Sequence, residues 1–121
     1  MTVTITPGLL RHAMHALEDA LAPGGPADAK LGAYFRQNRE LGANDRAFVA
    51  DTVYAVLRRR RFLQHVAGSD DAFGLVMACL LRLQGLGMRD LQMHMSKAQL
   101  ERSQAIKVAP ATDLPLEVQA D

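Results

Sequence analysis

The chain has 121 residues, a formal net charge of +1 and 49% hydrophobic residues, which fits one domain with a core of its own. Its single cysteine, Cys79, excludes an internal disulfide and a cysteine-based zinc site. The first residues lack the pattern of a signal peptide and no apolar run reaches the ~18 residues of a membrane span, so we expect a cytoplasmic protein.

Basic charge is concentrated in residues 30–61. This segment holds eight Lys and Arg residues against three acidic ones, whereas the rest of the chain holds six basic and ten acidic residues. Such an asymmetry is typical of a surface that meets a polyanion. A solvated basic face without a ligand would show the same asymmetry, so charge alone leaves both interpretations open.

Helical spacing of Leu and Met predicts a first helix. Thr6 can cap it and Pro7 suits its first position, while the Pro-Gly-Gly sequence at residues 23–25 ends it. Pro26 then opens a second helix, which we expect Gly42 to end.

The third predicted helix, residues 44–67, carries the strongest apolar stripe, with Asn44 as its N-cap and Gly68 at its end. The four consecutive arginines that begin at Arg58 lie within it. At about 100° per residue they span about 300° of the helix, so they cannot form one patch.

The projection separates the arginines into two pairs. Arg58 and Arg61 face outward, on the same side as Tyr54. Arg59 and Arg60 fall beside the apolar stripe, so we expect them to snorkel, to pair with an acid or to mark a change in packing.

The segment AFGLVMACLLRL predicts a fourth helix that is apolar nearly all round, as in the centre of a bundle. Ser69 is its expected N-cap, and Cys79 is expected to be a buried hydrophobe rather than a reactive thiol. A short fifth helix over residues 88–95 follows. The capping-box pattern at Ser96 then predicts a final turn or two, to about residue 105.

These elements predict an all-α fold, a single bundle of about five to six helices over residues 1–105. Residues 106–121 contain Pro110 and Pro115 without helical periodicity, so we expect a linker or disordered tail. The chain stops after LPLEVQAD, which leads us to expect the front part of a longer protein.

No pattern predicts catalysis. His12 and His15 are three residues apart and could touch one ion, but no third ligand is in view, so we expect two surface histidines. Gly85 and Gly87 lack the Lys-Ser/Thr pair and the preceding strand of a phosphate loop. We therefore expect no catalytic residue, no metal site and no cofactor in this chain.

The string LGAYFRQNRELGANDRAFVADTVYAVLRRRRFL resembles a known family. It is similar to the NusB-like N-terminal domain of bacterial ribosomal RNA (cytosine-5) methyltransferases of the RsmB/Sun family. The later Leu83-Gln84-Gly85 and Leu114-Pro115 also fit the way such domains lead into the next one. The resemblance covers most of the chain, but only residues 34–63 are specific.

The resemblance implies a NusB-like helical bundle that binds ribosomal RNA for a downstream catalytic domain. That domain would carry S-adenosylmethionine and the catalytic cysteines, so this chain alone is not expected to be an enzyme. In free-standing NusB the RNA contacts lie largely in an Arg-rich first helix, and here that helix has only Arg11. We therefore expect the RNA contacts elsewhere, at Arg36, Arg39, Arg46, Arg58 and Arg61, with Tyr54 as the one candidate for base stacking.

Three functions remain open. The first is an RNA-binding accessory domain that neutralises phosphates with little base reading. The second is a protein-interaction module, for example one that docks on its own catalytic domain. The third is a free-standing NusB-type antitermination factor. We expect a monomer with ribosomal RNA and its own catalytic domain as partners, and no membrane association.

Overall fold

The computed structural model describes residues 5–91 and 95–110, apart from the side chain of Asp90. Within these residues the chain is helical and has no strand, which confirms the predicted all-α class. If α3 and α4 are counted as one helix, the described residues form six helices, within the predicted five to six. The elements are α1 (Pro7–Leu21), α2 (Ala27–Gln37), α3 (Ala43–Arg58), α4 (Arg60–Ala67), α5 (Ala72–Ala78) with a π-helical continuation (Cys79–Leu83), α6 (Met88–Leu91) and α7 (Lys97–Val108).

The start of α1 is as predicted. The backbone N–H of Leu9 donates to the Thr6 hydroxyl at 3.0 Å, which satisfies one of the free amides of the first turn. The end of α2 is different from the prediction. The helix stops at Gln37, where the Asn38 side chain donates to the carbonyl of Tyr34 at 2.8 Å. Since Asn38 satisfies a terminal carbonyl there, α2 ends five residues before the expected stop.

Gly42 begins α3 instead of ending α2. It occupies the N-cap position, and its carbonyl accepts from the N–H of Arg46 at 2.9 Å. The prediction that Asn44 caps this helix is therefore wrong, because Asn44 already lies in the first turn and α3 has no side-chain cap. The short turn between the two helices brings the end of α2 next to the start of α3.

The predicted third helix is divided at Arg59. This residue has φ −120° and ψ 30°, away from helical values, although its N–H still donates to Ala55 and its carbonyl accepts from Leu63. The Arg59 guanidinium lies 4.8 Å from the centroid of the Phe62 ring, and that of Arg82 lies 5.8 Å from it. The break is thus a kink, hereafter the Arg59 kink. It lies beside the buried ring of Phe62, and Arg82, on the π-helical continuation of α5, is also within cation–π distance of that ring.

A polar cluster joins α4, α5 and α7. Asp71 is the N-cap of α5 and accepts from the N–H of Gly74 at 3.2 Å, so the prediction that Ser69 is the cap is wrong. Ser69 donates to Asp71 instead, at 2.7 Å. Arg102 on α7 reaches both side chains, at 2.9 Å from Asp71 and 3.1 Å from Ser69. We call Ser69, Asp71 and Arg102 the clasp. It ties the start of α5 to α7.

The core surrounds α5, as its uniformly apolar sequence predicts. α1 packs against α2, α3 and α5, and α7 packs against α4 and α5. Cys79 is fully buried, and burial raises the pKa of its thiol to about 11, so it is a core residue as expected. The largest fully buried side chains include Leu17, Val53, Leu63, Leu75, Met77, Leu80, Leu91 and Ile106.

The last helix is longer than predicted. It begins at the capping box of Ser96 and Gln99, as expected, but runs to Val108, and Ile106 is buried. The expected boundary at residue 105 therefore falls inside α7. Arg82, on the widened π-helical turn, donates to the carbonyls of Ile106 and Ala109 at 3.0 and 2.7 Å and so caps this helix end.

Two further predictions concern residues that lie partly outside the described part of the chain. Of the predicted fifth helix, α6 covers Met88–Leu91, and residues 92–94 lie outside the described part. Residues 111–121 of the expected tail also lie outside it. No helix in the described ranges is long and apolar enough to cross a membrane.

Candidate nucleic-acid interface

Some of the arginines are used by the fold. Arg60 forms an ion pair with Asp70 at 2.8 Å, and Arg102 forms one with Asp71 at 2.9 Å. These guanidinium groups hold the pKa of both carboxyls below the usual range, since hydrogen bonds to an arginine favour the charged carboxylate. Hence two of the arginines, one on α4 and one on α7, are already paired with carboxylates of the fold.

Arg59 and Arg60 behave as their place beside the apolar stripe predicts. Both are partly buried: Arg59 lies against Phe62 and Arg60 against the carboxylate of Asp70. The Nε of Arg59 is buried and has no hydrogen-bond partner in the described structure. Neither side chain is free to meet a ligand with its whole guanidinium.

A second set of arginines is exposed and has no ion pair or hydrogen bond to any described residue. It includes all five arginines expected to contact RNA, which are Arg36, Arg39, Arg46, Arg58 and Arg61. Arg11 and Arg89 are also exposed, on α1 and α6. A guanidinium presents five donors in a planar fork that matches phosphate oxygens. Exposed arginines without a carboxylate partner can give those donors to an anionic ligand.

The five arginines form two groups at the two ends of α3. Arg36 and Arg46 flank the turn between α2 and α3 and Arg39 lies in it, and we call these three the corner arginines. Arg58 and Arg61 flank the Arg59 kink, and we call them the kink arginines. Arg58 follows Arg46 by 12 residues, which corresponds to about 18 Å along a helix. The basic surface is therefore split rather than continuous.

The middle of the exposed face of α3 is acidic. Asp51 is exposed there and has no partner among the described side chains. Tyr54, one turn further, donates its hydroxyl to the carboxylate of Asp28 on α2. That hydrogen bond, followed by burial, raises the pKa of Tyr54, so the hydroxyl stays protonated. Along the axis of α3, two carboxylates, Asp28 and Asp51, thus lie at levels between the corner and the kink arginines.

Tyr54 is on the expected face but is not a free ring. Its side chain is half-buried against the core, and its hydroxyl is held by Asp28. A base stacked on this ring would bring its phosphates close to a carboxylate. The geometry therefore gives Tyr54 a structural contact between α2 and α3, which its position on the helix did not predict.

A polar network beside the corner was not predicted. His12 of α1 contacts the hydroxyl of Tyr34 through Nδ1 at 2.7 Å and the carboxylate of Glu40 through Nε2 at 3.2 Å. Burial, then the charges of Asp19 and Glu40, raises the pKa of Tyr34. The network ties the turn that carries Arg39 to α1. His12 is thus not a plain surface histidine, and no local pattern could have indicated a partner 22 residues away.

Other sites offer little chemistry. The described residues contain no group of three or more His, Cys, Asp or Glu side chains that could hold a metal ion. A groove of about 290 Å³ between α1, α5 and the start of α7 is mainly apolar, with Met14, Phe73, Met77 and Met95 among its lining residues and Arg11 at its edge.

The candidate interface is therefore the surface that carries the corner and the kink arginines. It is a set of hydrogen-bond donors that can bind an anion.

The comparisons with known proteins add no relative. No protein-family model, no curated protein and no solved structure matches this chain.

Proposed function

We propose that this chain is an RNA-binding accessory domain that positions ribosomal RNA for a downstream S-adenosylmethionine-dependent cytosine-5 methyltransferase domain. The RNA contacts would come from the corner and the kink arginines. In this proposal the chain supplies no catalytic group, and the methyl transfer takes place in the downstream domain. The resemblance of residues 34–63 to the RsmB/Sun type of methyltransferase supports the link to ribosomal RNA.

The observation that carries the proposal is the separation of arginines into paired and unpaired ones. Arg60 and Arg102, which tie elements of the fold together, each have a carboxylate within ion-pair distance. The corner and kink arginines have no such carboxylate in the described structure and remain exposed. Keeping several unpaired guanidinium groups near one another costs self-repulsion, which a polyanionic ligand would relieve.

The expected mode of binding is phosphate neutralisation. Each arginine that contacts a phosphate releases condensed counterions, so affinity falls as salt rises. Base reading would be slight, since no Phe or Tyr side chain is exposed: all four Phe and both Tyr residues lie within the described ranges and each is at least partly buried. Such a surface suits a domain that holds RNA while another domain selects the nucleotide.

Two alternatives share these arginines. A protein-interaction module would dock them on an acidic surface, such as that of its own catalytic domain. A free-standing antitermination factor would bind boxA-like RNA together with a ribosomal protein. Amide-shift maps recorded with RNA, and separately with the downstream domain, distinguish the first alternative from the proposal. Binding to boxA-like RNA in preference to other ribosomal fragments would favour the second.

The direct test is the affinity of the full chain for a ribosomal RNA fragment. The double variant Arg58→Ala, Arg61→Ala should bind about tenfold more weakly than the natural chain, since two phosphate contacts are lost. The double variant Arg89→Ala, Lys107→Ala, which removes two exposed basic residues from α6 and α7, is the matched control and should change affinity by much less. Equal losses in both variants would mean that only net charge matters and that this surface is not the site.

A further inference from the structure

We infer that the interface takes double-stranded RNA in preference to single-stranded RNA. This inference rests on the proposed function and specifies the form of RNA that the surface accepts. It follows from two observations on α3: the basic groups lie at its ends, and carboxylates lie between them.

The spacing is the first argument. Arg46 and Arg58 are both exposed and lie about 18 Å apart along the axis of α3, and at about 100° per residue they are also about 120° apart around it. A duplex presents two rows of phosphates separated by a groove, and double-stranded RNA is recognised largely by contacts to such rows. A helix with arginines at both ends can contact one row with each end and leave its middle over the groove.

The carboxylates are the second argument. Asp51 is exposed at a level between the two groups along the axis of α3, on nearly the same side as Arg58, and the hydroxyl of Tyr54 holds Asp28 at the next turn. A single strand laid from the corner to the kink would carry a phosphate at every nucleotide, and some of these would pass over the carboxylates. In A-form RNA the shallow minor groove displays 2′-hydroxyls, which can donate to a carboxylate. The acidic middle thus opposes a single strand more than a duplex.

The aromatic side chains are the third argument. Binding of single strands relies on bases stacked on exposed aromatic rings, worth ~1–3 kcal/mol per base. Every Phe and Tyr ring of this chain is at least partly buried, and Tyr54 is also hydrogen-bonded. Among the described residues the exposed rings are the imidazoles of His15 and His65, on two different helices. The surface therefore lacks the stacking platform that a single strand needs.

The test compares a hairpin RNA with a stem of about 16 base pairs, a length that spans two successive minor grooves, with an unpaired RNA of the same nucleotide number. Both are titrated with the full chain at one salt concentration. Duplexes have the higher charge density, so the diagnostic quantity is how the duplex-to-single-strand affinity ratio responds to Asp51→Asn. Glu101→Gln, an exposed acid on α7, is the matched control.

The inference predicts tighter binding of the hairpin, and a ratio that Asp51→Asn reduces about threefold while Glu101→Gln leaves it unchanged. Equal or tighter binding of the unpaired RNA overturns the inference and leaves the proposed function intact. A ratio that Asp51→Asn does not change also overturns it. If neither RNA binds, the proposed function fails together with the inference.

Discussion

Arg60 binds Asp70 through two parallel hydrogen bonds, with Nε 3.2 Å and Nη2 2.8 Å from the two carboxylate oxygens. The next residue, Arg61, is exposed and has no ion pair in the described structure. Two adjacent arginines in one helix therefore have different tasks, and this difference can be measured.

Arg60→Ala should destabilise the fold by about 1 kcal/mol, because the bidentate contact and the packing of the arginine's aliphatic stem are both lost. This value is near the upper end of the range for ion pairs that are partly exposed. The melting temperature should fall by about 3 °C. Thermal melts of Arg58→Ala and Arg61→Ala serve as controls and should lie within about 0.5 kcal/mol of the natural chain. A larger loss for either control than for Arg60→Ala would show that the helix faces are assigned incorrectly.

Asp71 should make stability depend on pH. Hydrogen bonds from Arg102 hold the pKa of this carboxyl well below its usual range, against the effect of burial. A depressed pKa in the folded state contributes stability above the unfolded value of ~3.9 and loses it as pH falls below that value. Asp71→Asn keeps an N-cap side chain but removes the charge.

Melts of Asp71→Asn and the natural chain between pH 7 and pH 3 measure this contribution. The natural chain should be the more stable at pH 7, and the difference should shrink as pH falls through the range below ~4. A difference that stays constant down to pH 3 would mean that the clasp acts through packing rather than through charge.

Gly74→Ala should destabilise the protein, although glycine in a helix usually costs ~1 kcal/mol relative to alanine. An added Cβ would lie 2.5 Å from the Ser69 hydroxyl and 2.7 Å from the Asp71 carboxylate, so it would displace the clasp. Gly32→Ala is the matched control. An added Cβ there would contact only the guanidinium end of the Arg36 side chain, at 3.4 Å. Gly32→Ala should therefore stabilise the protein by about 0.5–1 kcal/mol. Urea denaturation of both variants compares them, and stabilisation by Gly74→Ala would contradict the clasp geometry.

Tyr34→Phe should cost about 1 kcal/mol, since it leaves Nδ1 of the partly buried His12 without its partner at 2.7 Å. Tyr54→Phe also removes a hydroxyl hydrogen bond, but an exposed one, so its loss should be smaller. The denaturation midpoints of the two variants, each compared with that of the natural chain, show which loss is larger. A double variant with His12→Ala should show non-additive losses if His12 and Tyr34 interact as the structure indicates.

Helix positions follow from local spacing, and for this reason the sequence predicted them well. The outward orientation of Arg58 and Arg61 follows from about 100° per residue and needs no tertiary information. The N-cap of α5 does not follow from local spacing. Ser69 and Asp71 are both good N-cap residues, and Arg102, 31 residues after Asp71, contributes to the selection of Asp71 by binding its carboxylate. Contacts between distant segments decide such details.

The candidate site shows the same division. That its arginines and Asp51 are exposed could be predicted from helical spacing, but not the position of Asp28, because the bond from Tyr54 to Asp28 joins residues 26 positions apart. The kink at Arg59 likewise lies where Phe62 meets Arg82 of another element. The sequence thus predicts which side chains face solvent and does not predict which charges meet there.

The central claim is that the corner and kink arginines bind RNA phosphates, and the salt dependence of affinity tests it most directly. A ribosomal RNA fragment is titrated with the full chain over a series of salt concentrations, alongside the variant Arg58→Ala, Arg61→Ala. We predict a steep linear fall of log K with log salt, and a slope that is smaller by about two in the variant. An affinity that does not change with salt, or equal slopes for both proteins, would contradict the claim.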